Sequence, residues 1–326
     1  MKKIFSLLIF TGFIFLKSMA QDSTALIQDS TIAVQDSSAE TTEVTGKKAK
    51  FAKATFQSTS LINFQTVEML KKGNLQFMVA HHFGVVWNKD AKAGQNLAQV
   101  FGFNSGVAHT YLSFDYSVTN YANIGLGLTG NSKFEGWLKL KLLRQQTGLK
   151  NIPVTVAWLS LVNFDAVENT LDTVKANKLA WNKLSFMHQL LIARKFSSKF
   201  SMQIAPTFTH YNIVPYGINN SNNIFSMVIG GKYQLKPTKA LTFEYARQFN
   251  MFENVINKNG NIVNYSPDLL AIGIEFNTGG HVFQFYIGNT TSASNIEQLT
   301  RNTSKMKDGQ FALGFRLNRG FFVGSK

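Results

Sequence analysis

Apolar and polar residues alternate along most of the chain beyond residue 74. In 200–209, Phe200, Met202, Ile204, Pro206 and Phe208 fall on one face, and Ser201, Gln203, Ala205, Thr207 and Thr209 on the other. A period of two marks a strand, because successive side chains of extended backbone point to opposite faces. Leu241, Phe243 and Tyr245 oppose Thr242, Glu244 and Ala246 in the same way, and Phe311, Leu313, Phe315 and Leu317 oppose Ala312, Gly314 and Arg316. The pattern predicts twelve strands, at 74–83, 107–117, 122–130, 134–143, 152–161, 184–195, 199–209, 224–234, 240–248, 268–277, 280–288 and 309–318. Most reach about ten residues, the length a tilted strand needs to cross a bilayer. The stretch 184–195 is apolar on both faces and resists assignment of an inner side.

The connections sharpen this reading. Links at 118–121, 196–198, 235–239 and 278–279 are short and 144–151 is intermediate, whereas 84–106, 162–183, 210–223, 249–267 and 289–308 are long. Long and short alternate, except that 131–133 is short where a long link is due. Short turns at one rim and long loops at the other characterise transmembrane β-barrels. A soluble β-sandwich or propeller competes but does not require that alternation. The expected fold is therefore all-β: an antiparallel transmembrane β-barrel of about twelve strands over 74–320, with both termini periplasmic. Trp87, Trp137, Trp158 and Trp181 are expected to form an interface belt near the outer mouth, where an apolar ring with a polar N–H is favoured. Pro206 lies inside a strand that has no free edge, which predicts a bulge there.

The first 73 residues read differently. Lys2 and Lys3, the apolar run Ile4 to Leu16, and Ser18-Met19-Ala20 make a cleavable signal peptide over 1–20. Its removal takes away Lys2, Lys3 and Lys17 and lowers the formal net charge from +15 to +12. Gln-Asp-Ser units recur at 21, 28 and 35. Such a polar leader over 21–54 buries too little apolar area to offset its ordering entropy, so disorder is expected. It ends in a basic run, Lys47, Lys48, Lys50 and Lys53. Residues 55–73 lack a clear period and are expected to be an inward plug that supplies Glu68, an additional periplasmic strand or a short helix.

Composition removes several function classes. Cysteine is absent, which excludes disulfides, thiolate metal sites and a lipid-bearing N-terminal cysteine. Mean hydropathy is −0.05, and no stretch beyond residue 20 is apolar enough for a spanning helix. No P-loop and no His-Glu-x-x-His occurs. Nor does a His-x-Ser pair; Ser113 lies four residues from His109, roughly 13 Å along a strand and too far for proton transfer. An enzyme is not expected. Basic residues are not interleaved with exposed aromatics on one element, so nucleic acid is not an expected partner. Outer-membrane lipid is, with a periplasmic partner for the leader as a second candidate.

With the apolar face toward lipid, the inward charged residues are Asp115, Glu135, Lys139, Lys141, Lys232, Glu244, Glu275 and Arg316. Four acids meet four bases, which predicts cross-lumen ion pairs in a narrow or partly filled barrel rather than a lumen of one sign. His82 and His109 face inward across one loop and are the candidate metal or haem contacts. No third ligand can be named, and hydrogen-bonded rim histidines are the preferred reading, with no cofactor expected.

Phe56-Gln57-Ser58-Thr59, Asn63, Gln65-Thr66-Val67-Glu68, Gly73 and His82-Phe83-Gly84 resemble the N-terminal signature of a Bacteroidota family of outer-membrane β-barrel proteins with no assigned function. Leu190-Leu191-Ile192-Ala193-Arg194-Lys195-Phe196-Ser197, Pro206-Thr207 and Gly279-Gly280-His281-Val282-Phe283-Gln284 resemble its later blocks. The resemblance spans 54–320 and implies a barrel in the outer membrane, without a substrate. The expected roles are a small-solute channel or transport component first, a structural or docking protein second, and a metal- or haem-contacting barrel third.

Overall fold

A computed structural model of the chain describes residues 48–87, 92–95, 109–130, 132–166, 180–215, 220–257 and 259–324. The signal peptide and nearly all of the polar leader lie outside them. Twelve antiparallel strands close into one barrel. They are β1 (Asn74–Trp87), β2 (His109–Thr119), β3 (Ala122–Thr129), β4 (Lys133–Leu143), β5 (Thr155–Asp165) and β6 (Leu184–Lys195). Then follow β7 (Phe200–Tyr211), β8 (Asn223–Lys236), β9 (Lys239–Gln248), β10 (Asp268–Asn277), β11 (His281–Gly288) and β12 (Phe311–Phe322). Each strand pairs with its neighbours in sequence, and β12 pairs with β1 to close the ring. A closed ring leaves no row of unpaired backbone donors and acceptors, which hydrocarbon would penalise.

The alternation read from sequence maps onto the two faces. Along β3, Ile124, Leu126 and Leu128 are exposed, and Asn123 and Thr129 are buried. Phe114, Phe134, Phe225, Ile272, Phe285 and Ile287 extend the apolar outer surface around the ring. An apolar exterior this extensive is the kind of surface a transmembrane barrel turns toward lipid.

Two local expectations are corrected. β5 begins at Thr155, not at 152, because Ile152 forms a bridge with Gln146, and Gln146–Thr147 pairs with Lys50–Phe51 in a small sheet on the rim. Pro206 causes no bulge. Its register with Met227 on β8 is unbroken. On the other side Gln189 pairs with Thr207 and Ile192 with Ile204 in one register, with no partners assigned to Leu190 and Leu191 between them. The proline's missing N–H is absorbed by an interrupted ladder rather than by an inserted residue. The register shifts near the short-turn rim fall at Ser117/Thr119, Lys141/Leu143 and Gln234/Lys236.

Candidate functional site: the occupied lumen

The chain enters the barrel from the short-turn rim. Lys50–Phe51 is fastened to Gln146–Thr147, the Ala52 N–H donates to Gln145 O, and Lys195 Nζ donates to Lys53 O at 2.5 Å and Ala54 O at 3.3 Å. Ala54 has φ +41°, where the chain turns inward. Residues 59–66 then form a hairpin: Thr66 N–H donates to Thr59 O, Leu61 N–H donates to Phe64 O, and Ser60 bridges Gln65. The return to β1 passes through Gly73, at φ +78°. A Cβ there would crowd Gly324 Cα at 3.2 Å, so glycine satisfies both the left-handed backbone and the close approach.

Side chains from strands on every side hold this hairpin, mainly by its main chain. Glu244 on β9 accepts the N–H groups of Ile62, Asn63 and Phe64 at 2.8, 2.7 and 3.2 Å. Lys139 on β4 donates to Thr66 O at 3.2 Å, Thr59 O at 3.5 Å and the Gln65 side chain at 2.8 Å. Gln203 on β7 accepts from Val67 N–H and donates to Gln65 O, both at 2.9 Å. Gln284 on β11 donates to Leu61 O and Ser60 O, and Gln76 on β1 to Thr59 Oγ1. Burying these groups unpaired would cost on the order of 1–3 kcal/mol each, so the reciprocal pairing is what makes the filled interior tolerable.

The apolar side chains of the insert have their own seat. Phe56, Leu61, Phe64 and Val67 belong to one buried cluster with Leu159 and Leu161 on β5, Met187 and Leu191 on β6, and Val228 on β8. This explains why 184–195 reads as apolar on both faces: one face is the exterior, and the other packs within this cluster.

A second insert descends from the long-loop end. Ser294 Oγ and Asn295 Nδ2 donate to Glu135 on β4 at 2.7 and 2.6 Å, joined there by Tyr111 OH at 2.9 Å and Asn163 Nδ2 at 3.2 Å. A helical turn follows at Glu297–Thr300. Lys133 ties its Glu297 to Asp165, at 2.9 Å to each, and Arg301 reaches Glu297 at 3.5 Å. Thr300 meets Tyr211 OH at 2.6 Å. Phe252 is fully buried in the preceding long loop, edge-on to Tyr211 and to Tyr265, whose phenol burial pushes above its ordinary value. The sequence reading treats 289–308 as a plain loop. The spacing of Ala293, Ile296 and Leu299, all buried, was the available signal for an apolar face.

The eight expected lumen charges can now be placed. Asp115, Glu135, Lys139, Lys232, Glu244, Glu275 and Arg316 are buried, and Lys141 is partly so. The four acids take their hydrogen bonds from neutral donors, Asp115 from Trp137 Nε1 at 2.7 Å, Glu275 from Gln284 at 2.7 Å, and Glu135 and Glu244 as described, while Lys139 acts electrostatically on Asp115 and Lys232 on Glu275. The inserts supply donors that a bare lumen lacks. Glu68 of the first insert is buried, accepts the Phe56 N–H, and acts electrostatically on Lys139, Lys141, Lys195 and Lys232. Lys195, Gln203 and Gln284 were missed by sequence reasoning, the two amides because only charges were counted on the inner face.

The tryptophan belt is corrected in two places. Trp87 ends β1 and Trp181 lies in the loop before β6, so both are exposed at the long-loop rim. Trp158 is exposed but is the fourth residue of β5, in the opposite half of the wall. Trp137 is not at an interface: it is buried in the lumen, because it shares the inward parity of Glu135 and Lys139. Its ring lies against Gly125 and the Tyr111 ring against Gly127, where a Cβ would collide with each. Gly125, Gly127 and Gly130 have the Gly-x-Gly-x-x-Gly spacing of a dinucleotide turn, but Gly125 and Gly127 lie within β3 and make room for aromatic rings.

His82 and His109 are register partners on β1 and β2. His82 is buried edge-on to Tyr286, whose hydroxyl is 3.3 Å from Nε2, and the Arg316 guanidinium acts on the same ring. Among the described residues no group of three or more His, Cys, Asp or Glu side chains is placed to hold a metal.

An apolar-walled, closed antiparallel ring with a polar interior defines a membrane β-barrel. The chain belongs to the family described as membrane bound beta barrel domain (DUF5777), which matches residues 56–321. No curated protein sequence matches it significantly. Among solved structures it is similar to the NanC porin, with 9% identity, a TM-score of 0.45, and coverage of 76% of this chain and 98% of that one. It is also similar to the CymD monoaromatic hydrocarbon channel, with 10% identity, TM-score 0.35, and coverage of 77% and 89%. LpxR from Salmonella typhimurium gives 10%, 0.33, and coverage of 76% and 99%.

Proposed function

We propose that this protein is an outer-membrane channel for small solutes whose resting state is closed by its own N-terminal segment. One observation carries the reading: the 59–66 hairpin is bound through polar groups of β1, β4, β7, β9 and β11. Buried polar contacts of this kind can be exchanged for water when the hairpin leaves, while the apolar seat of Phe56, Leu61, Phe64 and Val67 adds to the hold as long as it stays. The segment continues into residues 48–54, fastened at the short-turn rim by Lys50–Phe51 and Lys195. A partner on that side that draws on the leader would withdraw the hairpin.

The test is single-channel recording of the refolded mature protein in a planar bilayer, with and without residues 21–72. The expected result is silence from the mature protein and discrete conductance steps from the shortened one. A barrel shown to be folded by heat-modifiable electrophoretic migration, yet silent in both forms, would replace the channel with a docking role.

A further inference from the structure

We infer that the lumen is a binding site for short peptides, occupied at rest by the chain's own hairpin. The inference rests on the hairpin being displaceable, as the channel reading requires. Most of what the barrel's polar groups touch on the hairpin is main chain. Glu244 accepts three consecutive backbone N–H groups. These are donors that successive peptide units present in one concave array, the kind of array that binds an anion. Lys139 donates to the carbonyls of Thr59 and Thr66 at the open end of the hairpin. Gln203 both accepts from and donates to the main chain, at Val67 N–H and Gln65 O. Gln284 donates to two consecutive carbonyls, those of Ser60 and Leu61, and Gln298 of the second insert donates to Asn63 O.

Alternating N–H and C=O groups at this spacing are the chemistry of a polypeptide backbone. A sugar offers hydroxyls without that directional order. A small inorganic anion would suit Lys139 but be repelled by Glu244. The second recognition element is the apolar wall of Leu159, Leu161, Met187 and Leu191, in one buried cluster with Phe56, Leu61, Phe64 and Val67. The ligand class is therefore a peptide about the length of the hairpin, carrying apolar or aromatic side chains and read mostly through its backbone. Glu244, Gln203 and Gln284 stand on β-strands, so their positions do not depend on a ligand to organise them.

The experiment keeps the whole folded chain. A protease site inserted between Lys72 and Gly73 lets the hairpin fold in place and then be cut, making it a dissociable ligand of its own barrel. An isotope-labelled synthetic peptide of residues 55–72 is added, and its exchange for the cut fragment is followed by mass spectrometry, with Trp137 emission as a second readout. The expected result is exchange with that peptide. Unrelated peptides of equal length with apolar residues at the four matching positions should also exchange, and a peptide N-methylated at Ile62, Asn63 and Phe64 should bind at least tenfold more weakly. Occupancy by maltooligosaccharide or inorganic phosphate in preference to peptides would overturn the inference. So would indifference to N-methylation. If peptides exchange but the fragment-free barrel passes no current, the binding site stands and the channel reading falls. If current flows and no peptide binds, the reverse holds.

Discussion

Gln298 Nε2 donates to Asn63 O across 2.9 Å, joining the insert from the long-loop end of the barrel to the insert from the short-turn end. The two closures therefore meet inside the wall rather than acting independently at its two rims. A neutral hydrogen bond of this kind is worth about 1 kcal/mol. Gln298→Ala is expected to raise the frequency of brief openings about fivefold while leaving thermal stability close to that of the parent. Bilayer recordings and a melting curve on one preparation check both parts.

Glu244 accepts three of the hairpin's backbone N–H groups. Glu244→Ala leaves three buried N–H groups without an acceptor, which destabilises the inserted state by at least ~3 kcal/mol. Since 1.4 kcal/mol is about a factor of ten, the closed-to-open ratio should fall by two orders of magnitude or more. Limited proteolysis at Lys71 and Lys72 should quicken in step. Unchanged proteolysis and unchanged silence in a bilayer would show that the hairpin is held by something else.

Gly125 faces the Trp137 indole, and Gly127 faces the hydroxyl end of Tyr111. Gly125→Ala should push the indole off Asp115 and shift Trp137 emission, and Gly127→Ala should displace Tyr111 from Glu135. Overpacking of this kind costs about 1–3 kcal/mol, which should lower the temperature at which the barrel unfolds on a heat-modifiable gel. Gly136→Ala, on the outer face with its nearest neighbours at 3.7 Å, is the control expected to change little.

Withdrawal of the hairpin removes Glu68 but leaves Lys139, Lys141, Lys195 and Lys232, on which its charge acts. With Arg316 these four lysines make five bases against Asp115, Glu135, Glu244 and Glu275, so the opened barrel should show a weak preference for anions, since fixed charge sets selectivity. Reversal potentials in a salt gradient measure this. Lys232→Glu should weaken the preference, and a cation-selective parent would contradict the assignment.

His82→Ala is expected to leave the affinity for zinc or copper unchanged, measured by titration of the refolded protein. The ring's neighbours are Tyr286, His109 and the cationic Arg316, an environment that disfavours a divalent cation. Loss of a tight site in the variant would restore the metal reading.

The twelve strands were legible because alternation is a local property: a residue and its neighbour two positions on share a face in any sheet, whatever surrounds it. That parity alone placed Asp115, Glu135, Glu244 and Arg316 inside. It also predicts Trp137 inside, had parity been preferred over the habit of tryptophan at interfaces. What the sequence could not determine was the occupant of the lumen. The 59–66 hairpin has no hydrophobic period of its own, and most partners that fix it are distant along the chain; Ile62 and Glu244 are 182 residues apart. The apolar inner face of β6, the neutral partners of the buried acids and the meeting of Asn63 with Gln298 follow only once the ring has closed. Closure alone brings β1, β4, β7, β9 and β11 around one axis, where their polar groups converge on a single backbone.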